Sequence, residues 1–190
     1  MKIIPYLGGL IFVMVLYLIA WPVPIDPVAW QPLPAPQLEG QYMINDYLAA
    51  VEIIGKDEGI GPEDVDVDDE GRIYGAYLDG TIIRFSANGE NLGVFANTEG
   101  RPLGLDFDTA GNLIIADAKK GLLSADKNGT IRVLATEIDG TPFGFTDDVD
   151  IGPDGIIYFS DASEKFGVND YRADLFEHRP HGKILSYDPV

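Results

Sequence analysis

Acidic and apolar residues alternate along much of this chain, and the alternation restarts three times: EDVDVDDEGRIYGAYLDGTIIRF from Glu63, LGLDFDTAGNLIIADAKKGLLSAD from Leu103 and DDVDIGPDGIIYFSD from Asp147. An alternation of period two is the mark of a strand with one buried face. In each copy it meets an Asp-x-x-Gly or Thr-Ala-Gly turn, then a β-branched and aromatic run, a second glycine and another such run. The turn glycines keep phase: Gly71 and Gly111 are 40 residues apart and Gly111 and Gly155 are 44, while Gly80 and Gly121 open the third strands. The pattern predicts strands at 65–68, 72–77, 81–85 and 92–96, a second set at 103–108, 112–117, 122–126 and 131–136, and a third set of three strands. Antiparallel units of about 40–45 residues that cannot bury both faces alone are the signature of a β-propeller. The expected fold class is therefore all-β, with blades near 61–97, 101–137 and 145–190 forming part of a ring.

Propellers close with about four to eight blades. The pattern therefore predicts a truncated product or fragment, the alternative being self-association in which two copies complete one ring through an exposed blade edge.

Residues before the first repeat are different material. No charged side chain occurs from Ile3 to Val23, and at about 1.5 Å per residue such a helix can cross a bilayer core of about 30 Å. Residues 1–24 are thus expected to be one N-terminal transmembrane signal anchor. Lys2 and the amino group precede the run and only Asp26 and Glu39 follow closely, which predicts a single-pass membrane protein with a cytoplasmic N-terminus and an exported propeller. The competing reading is a cleaved signal peptide, against which stand the length of the run and the absence of a small residue at position 18. Tyr17, Trp21 and Trp30 are candidate interfacial aromatics or pack on the domain. Six prolines between Pro22 and Pro36 predict that 25–40 is a stiff linker holding the globular part off the membrane. Tyr47–Ile54 reads as a strand or short helix, in a closed ring the strand that pairs with the last blade.

The formal charge of −18, from 13 basic and 31 acidic residues, repels phosphate backbones and argues against nucleic-acid partners. The cysteine count is zero, which excludes thiol chemistry and disulfide frameworks. No GxSxG, P-loop, Rossmann or HExxH motif supports serine-hydrolase, nucleotide or zinc-protease chemistry.

In a propeller the loops entering the innermost strands meet at one mouth. Here those loops are Pro62-Glu63-Asp64, Arg101-Pro102 and Thr146-Asp147-Asp148. Converging carboxylates suit calcium, which takes about six to eight oxygen ligands. Aspartate is equally a turn residue, and Asp69, Asp108 and Asp154 are expected to organise hairpins. Lys119, Lys120 and Arg84 read as strand-end charges. Arg101 points into the mouth as an anion partner or pairs with local carboxylates.

The strings EGRPLGLDFDTAGNLIIADAKKGL, FTDDVDIGPDGIIYFSDASEKF and DYRADLFEHRPHGKILSYDP closely resemble the strictosidine synthase-like family, which includes the adipocyte plasma membrane-associated protein and groups with gluconolactonases and paraoxonases among six-bladed calcium-dependent propellers. The resemblance spans about 61–189. It implies that Glu63, in GPEDV, is the family's first metal ligand and Asp147, in FTDDV, its second, where the family carries asparagine. The extra charge is expected to tighten the ion. Asp148 matches an aspartate that supports the ligands structurally. Further ligands, and the glutamate that acts in true strictosidine synthases, fall in later blades of the family, beyond Val190, so no catalytic residue is assigned. The segment 162–181 resembles the family's loop over the channel mouth. It carries Phe166, Tyr171, Phe176, Glu177, His178 and His181, and either histidine is a candidate general base or solvated surface. The resemblance implies a membrane-anchored, calcium-dependent hydrolase of small-molecule esters or lactones. The alternatives are a strictosidine synthase-type condensing enzyme and a non-catalytic binding propeller.

Overall fold

The computed structural model describes residues 3–190. Strands β1 (Val65–Val67), β2 (Ile73–Ala76), β3 (Thr81–Phe85) and β4 (Asn91–Asn97) pair antiparallel in chain order. A second sheet repeats the arrangement with β5 (Pro102–Phe107), β6 (Leu113–Asp117), β7 (Gly121–Ala125) and β8 (Ile131–Ala135). A two-residue hairpin, β9 (Glu137–Ile138) and β10 (Thr141–Pro142), turns through Asp139 and Gly140, whose φ angles of 52° and 76° suit a mirror-image turn. The third sheet is three-stranded: β11 (Thr146–Ile151), β12 (Ile157–Asp161) and β13 (Lys183–Tyr187). The three predicted units are thus antiparallel propeller-type blades.

The first-to-second-strand turns explain the recurring aspartate. Asp68 Oδ1 accepts the N–H groups of Glu70 and Arg72 at 3.0 and 2.9 Å, and Asp108 Oδ1 those of Ala110 and Asn112 at 2.9 and 2.8 Å. Asp69, expected to do this in the first blade, is exposed and does not. The strand ends at Val67, so Asp68 is already the first residue of the turn. In the third blade Gly152 occupies that place, and Asp154 accepts the Ile156 N–H at 3.2 Å.

The middle sheet is covered on both faces, so β6 loses its alternation and all five of its residues are buried. Leu113 and Ile115 face the first blade, packing with Tyr74, Ile82 and Leu123. Ile114 and Ala116 face the third, packing with Leu122, Val149, Ile157 and Phe159. Burying a side chain of this kind is worth about 1.5–3 kcal/mol. The first interface is completed by Tyr74 meeting Phe95 and Phe107 edge-on, each at 5.0 Å between ring centres.

The acidic half of the inner-strand alternation does something different. Asp64 Oδ2 accepts the N–H of Leu105 at 2.9 Å, and Asp66 Oδ2 that of Phe107 at 2.9 Å. One interface further on, Asp106 Oδ2 accepts the N–H of Ile151 at 2.7 Å. The carboxylates of one inner strand thus satisfy backbone donors of the next, and burial, partly offset by these bonds, holds the Asp66 and Asp106 carboxyls above the ordinary range.

Three expectations for the N-terminal quarter are corrected. Helix α1 covers Ile3–Ala20, 18 residues or about 27 Å, because Pro22 stops it short of the end of the uncharged run at Val23. Among the described residues no helix is long and apolar enough to cross a membrane, so the expected transmembrane helix is not found. Lys2, the expected cytoplasmic charge, lies outside the described residues. The proline-rich segment does not stand free. The Asp26 N–H donates to Glu177 Oε2 at 3.1 Å, the Val28 N–H to the Glu177 carbonyl at 2.9 Å, and the Trp30 ring lies 5.4 Å from that of His178. Lastly, 47–54 forms neither strand nor helix. Asn45 Oδ1 captures the Tyr47 N–H at 3.1 Å and opens a run of exposed turns.

Candidate metal site at the blade mouth

Each inner strand begins at the same end of its blade. The second strand returns to that end, where an aspartate ties down the incoming loop. Asp117, fully buried at the end of β6, accepts the N–H groups of Arg101, Lys119 and Lys120 at 3.0, 2.9 and 3.0 Å. Asp161, 2% exposed at the end of β12, accepts those of Gly144 and Phe145 at 3.1 and 2.6 Å. These two residues position the mouth loops, and sequence reasoning does not single them out. A signal is nevertheless present in the shared Asp-Ala pair, Asp117-Ala118 and Asp161-Ala162, at equal phase in their repeats.

Strands β5 and β11 also each begin with a bulge, seen as register shifts between Pro102 and Leu105 and between Thr146 and Val149. The second puts Asp147 and Asp148 in the irregular stretch, where a bulge re-aims side chains. Gly104 lets these two strands close on one another, since a Cβ there would lie 2.7 Å from Asp148 Cα and Val149 N.

Glu63 sits just before β1, and the charge it feels most strongly is that of Asp147 in the third blade. Its carboxyl is raised above the ordinary range by burial first, then by Asp147, Asp64 and Asp148, with Arg101 partly offsetting them. Asp147 is raised by burial and then by Asp148. The two sequence-predicted ligands thus lie near enough for the Asp147 charge to act on Glu63. Asp148 is exposed, donates its N–H to Ser160 Oγ at 3.0 Å and receives the Val149 N–H at 2.9 Å. Arg101 lies across the gap between the first two blades, donating to the carbonyls of Gly61 and Pro102, both at 3.3 Å. Its guanidinium is thus engaged with backbone oxygens. Among the described residues no group of three or more His, Cys, Asp or Glu is arranged to hold a metal ion.

The 162–181 insertion rises from this end too, because Asp161 pairs with Thr146 on one side and Lys183 on the other. Its helix α2 (Tyr171–Glu177) ends at His178, which adopts a left-handed cap with φ 54°. Glu177, 1% exposed, is the hub: Lys165 Nζ approaches its two oxygens at 2.7 and 2.6 Å and His181 Nε2 lies 3.0 Å from Oε1. Arg179 reaches Asp26 Oδ2 at 2.6 Å. The Lys165 ammonium first, then the Asp26 N–H and His181, hold the Glu177 carboxyl down at about 2 against the opposing effect of burial. His181 is half-buried against Phe166, with ring centres 6.0 Å apart, whereas His178 is exposed beneath Trp30.

A cavity of about 440 Å³ opens elsewhere, beside the first-to-second-strand turns of blades one and two, lined in part by Asp68, Arg72, Tyr74, Phe107 and Lys127. Its Asp68 carboxylate is occupied by Arg72 Nε at 2.6 Å and the Tyr74 hydroxyl at 2.9 Å.

Two family models match: "Strictosidine synthase-like, N-terminal" over 40–85 and "Strictosidine synthase" over 147–190. Protein STRICTOSIDINE SYNTHASE-LIKE 4 of Arabidopsis thaliana is 37% identical over 88% of the chain. The chain belongs to the strictosidine synthase-like family. Adipocyte plasma membrane-associated protein of Rattus norvegicus is 30% identical over 88% of the chain. The chain spans 46% and 48% of the length of these two relatives. A gluconolactonase from Xanthomonas campestris superposes on 63% of the chain with a TM-score of 0.51 at 16% identity, covering 41% of that structure. This strictosidine synthase-like chain thus shares the gluconolactonase-like propeller fold.

Proposed function

We propose that this strictosidine synthase-like chain contributes the Glu63 and Asp147 ligands of a calcium-dependent hydrolase of small-molecule esters or lactones. The supporting observation is that Asp147, from a different blade, is the charge that most raises the Glu63 carboxyl, while the cation acting on Glu63, Arg101, is engaged with carbonyl oxygens. Two crowded carboxylates favour a bound cation as readily as a proton. Calcium there would supply polarisation of a substrate carbonyl. Asp161 holds the loop that leads to Asp147, and the insertion built on Glu177 walls the same end. Attachment to a bilayer belongs to the same reading, supported by an uncharged α1 that is exposed along Tyr6–Ile19.

Phenyl acetate and a γ-lactone are the substrates for the test, assayed with a full-length, six-bladed version of the protein floated on phosphatidylcholine vesicles. Turnover in the vesicle fraction is expected, falling at least a hundredfold with a chelator and with Glu63→Gln, in line with the loss of about 2.7–4 kcal/mol of transition-state stabilisation. Turnover indifferent to both removes the hydrolase reading. Calcium binding with no turnover on an ester panel leaves a binding propeller instead, and turnover confined to the soluble fraction removes membrane attachment.

A further inference from the structure

The cavity of about 440 Å³ beside the first-to-second-strand turns lies at the end of the blades opposite the mouth, because each inner strand runs from the mouth to its turn. Both of its walls belong to the packed interface between blades one and two. Its floor is aromatic: Tyr74 is buried and meets Phe95 and Phe107 edge-on. Behind that floor lies Arg84, its Cζ 5.8 Å from the Phe95 ring centre and its buried Nε without a hydrogen-bond partner among the described residues.

The charged groups on the walls differ in what they have left to offer. An ionised carboxylate has about four lone-pair sites, and Asp68 fills them with the Glu70 and Arg72 N–H groups on Oδ1 and with Arg72 Nε and the Tyr74 hydroxyl on Oδ2. Asp108 likewise takes the Ala110 N–H and both the N–H and side-chain amide of Asn112. The cations are not used up. Arg72 gives Nε to Asp68 and Nη1 to Glu70 at 3.0 Å, which leaves other guanidinium N–H donors unspent. Lys127 makes no ion pair among the described residues. Its side chain reaches over the β5–β6 turn, where Gly111 leaves it room, since a Cβ there would lie 3.0 Å from Lys127 Cε. Asp69 and Glu70 stand exposed at the rim, where water screens them. The volume is within the range of about 300–1,000 Å³ usual for small-molecule sites.

We infer that this cavity binds a small aromatic carboxylate, its ring against Phe95 and Phe107 and its carboxylate on Arg72 of the first blade and Lys127 of the second. An organic amine of the same size would meet wall carboxylates already spent on the protein's own donors, and would be repelled by both cations. The site is separate from the cation proposed at Glu63 and Asp147 and does not depend on it.

The test is calorimetric titration of the full chain in mild detergent at low salt with trans-cinnamate, its neutral amide and acetate, each corrected for a titration of detergent alone. Cinnamate is expected to bind at one site, cinnamamide at least tenfold more weakly, as the loss of a charged hydrogen bond requires, and acetate, which has no ring, not at all. Lys127→Gln is expected to weaken cinnamate about tenfold with an unchanged melting temperature, since Lys127 is exposed, and Lys127→Arg to keep most of the binding. A chelator and Glu63→Gln are expected to change nothing. Cinnamate that does not bind overturns the inference, and so does equal binding of acid and amide, which would make the cavity a merely apolar one. Binding that Lys127→Gln leaves intact also overturns it, as does binding lost in Glu63→Gln, which would put the ligand at the mouth.

Discussion

Asp161→Ala is expected to destabilise the fold by about 3 kcal/mol, a fall in melting temperature of roughly 6–12 °C, since removing a buried acceptor strands its donors at about 1–3 kcal/mol each. The carboxylate is 2% exposed and is what the Gly144 and Phe145 N–H groups bond to where the chain enters β11. Asparagine retains one acceptor oxygen and should recover about half of the loss. Calorimetry of the three proteins measures this directly. The same substitution frees the loop carrying Asp147, so calcium affinity should weaken in Asp161→Ala although the residue touches no ion. Equal melting temperatures in Asp161→Ala and wild type would show that the mouth loop is held by something else.

The second large effect is at Glu177, and it depends on pH. Its carboxyl titrates at about 2 in the folded protein against an ordinary 4.5. A depressed carboxyl contributes stability that is fully present above the ordinary value and lost as pH falls through the folded one. Wild-type stability is therefore expected to decline between about pH 4.5 and pH 2 through this group, and Glu177→Gln should flatten that part of the curve while melting several degrees lower at neutral pH. The neutral amide cannot balance the ammonium of Lys165, so an ion pair loses one member in a buried place. Loosening of the proline-rich segment around Asp26 should follow, because the Asp26 N–H bonds to the Glu177 side chain, whereas the Val28 N–H keeps its bond to the residue 177 carbonyl. Limited chymotrypsin digestion reads this as faster cleavage after Trp30 in the variant, since in the wild type that ring lies against His178. An unchanged digestion pattern together with an unchanged acid limb would mean that the hub carries none of this stability.

How far these features are legible in the sequence depends on whether the signal is local. The blades are, because the glycines at 71, 111 and 155 fix hairpin turns and β-branched runs fix strands; most strand limits lie within a residue or two of those observed. Asp69 in place of Asp68 is an error of one position, arising because alternation alone does not say where a strand yields to its turn. The acidic alternation is legible as a pattern but not in purpose: its carboxylates bond to backbone donors some forty residues away, information that exists only once blades are stacked. Asp117 and Asp161 are marked only by the repeated Asp-Ala pair for a related reason, since a strand-end aspartate looks like a turn residue until its loop is in place. The extended 22–36 segment reads as a free spacer because prolines report stiffness and say nothing of what an extended chain lies against. Glu177, drawn from an insertion that resembles a mouth loop, is the group that captures it. The proposed pairing of Glu63 with Asp147 rests on the repeat register and the family resemblance taken together.

The most direct measurement follows the titration of the Glu63 and Asp147 side chains by carboxyl carbon NMR, without and with calcium. Without the ion both are expected to titrate above their ordinary values of 4.5 and 3.8, and Glu63 should fall back toward its ordinary value in Asp147→Asn. With calcium both should titrate lower, the ion taking the place of the proton. Two carboxyls that titrate at ordinary values, indifferent to each other's substitution and to calcium, would contradict the claim that the blades bring them together as a cation site.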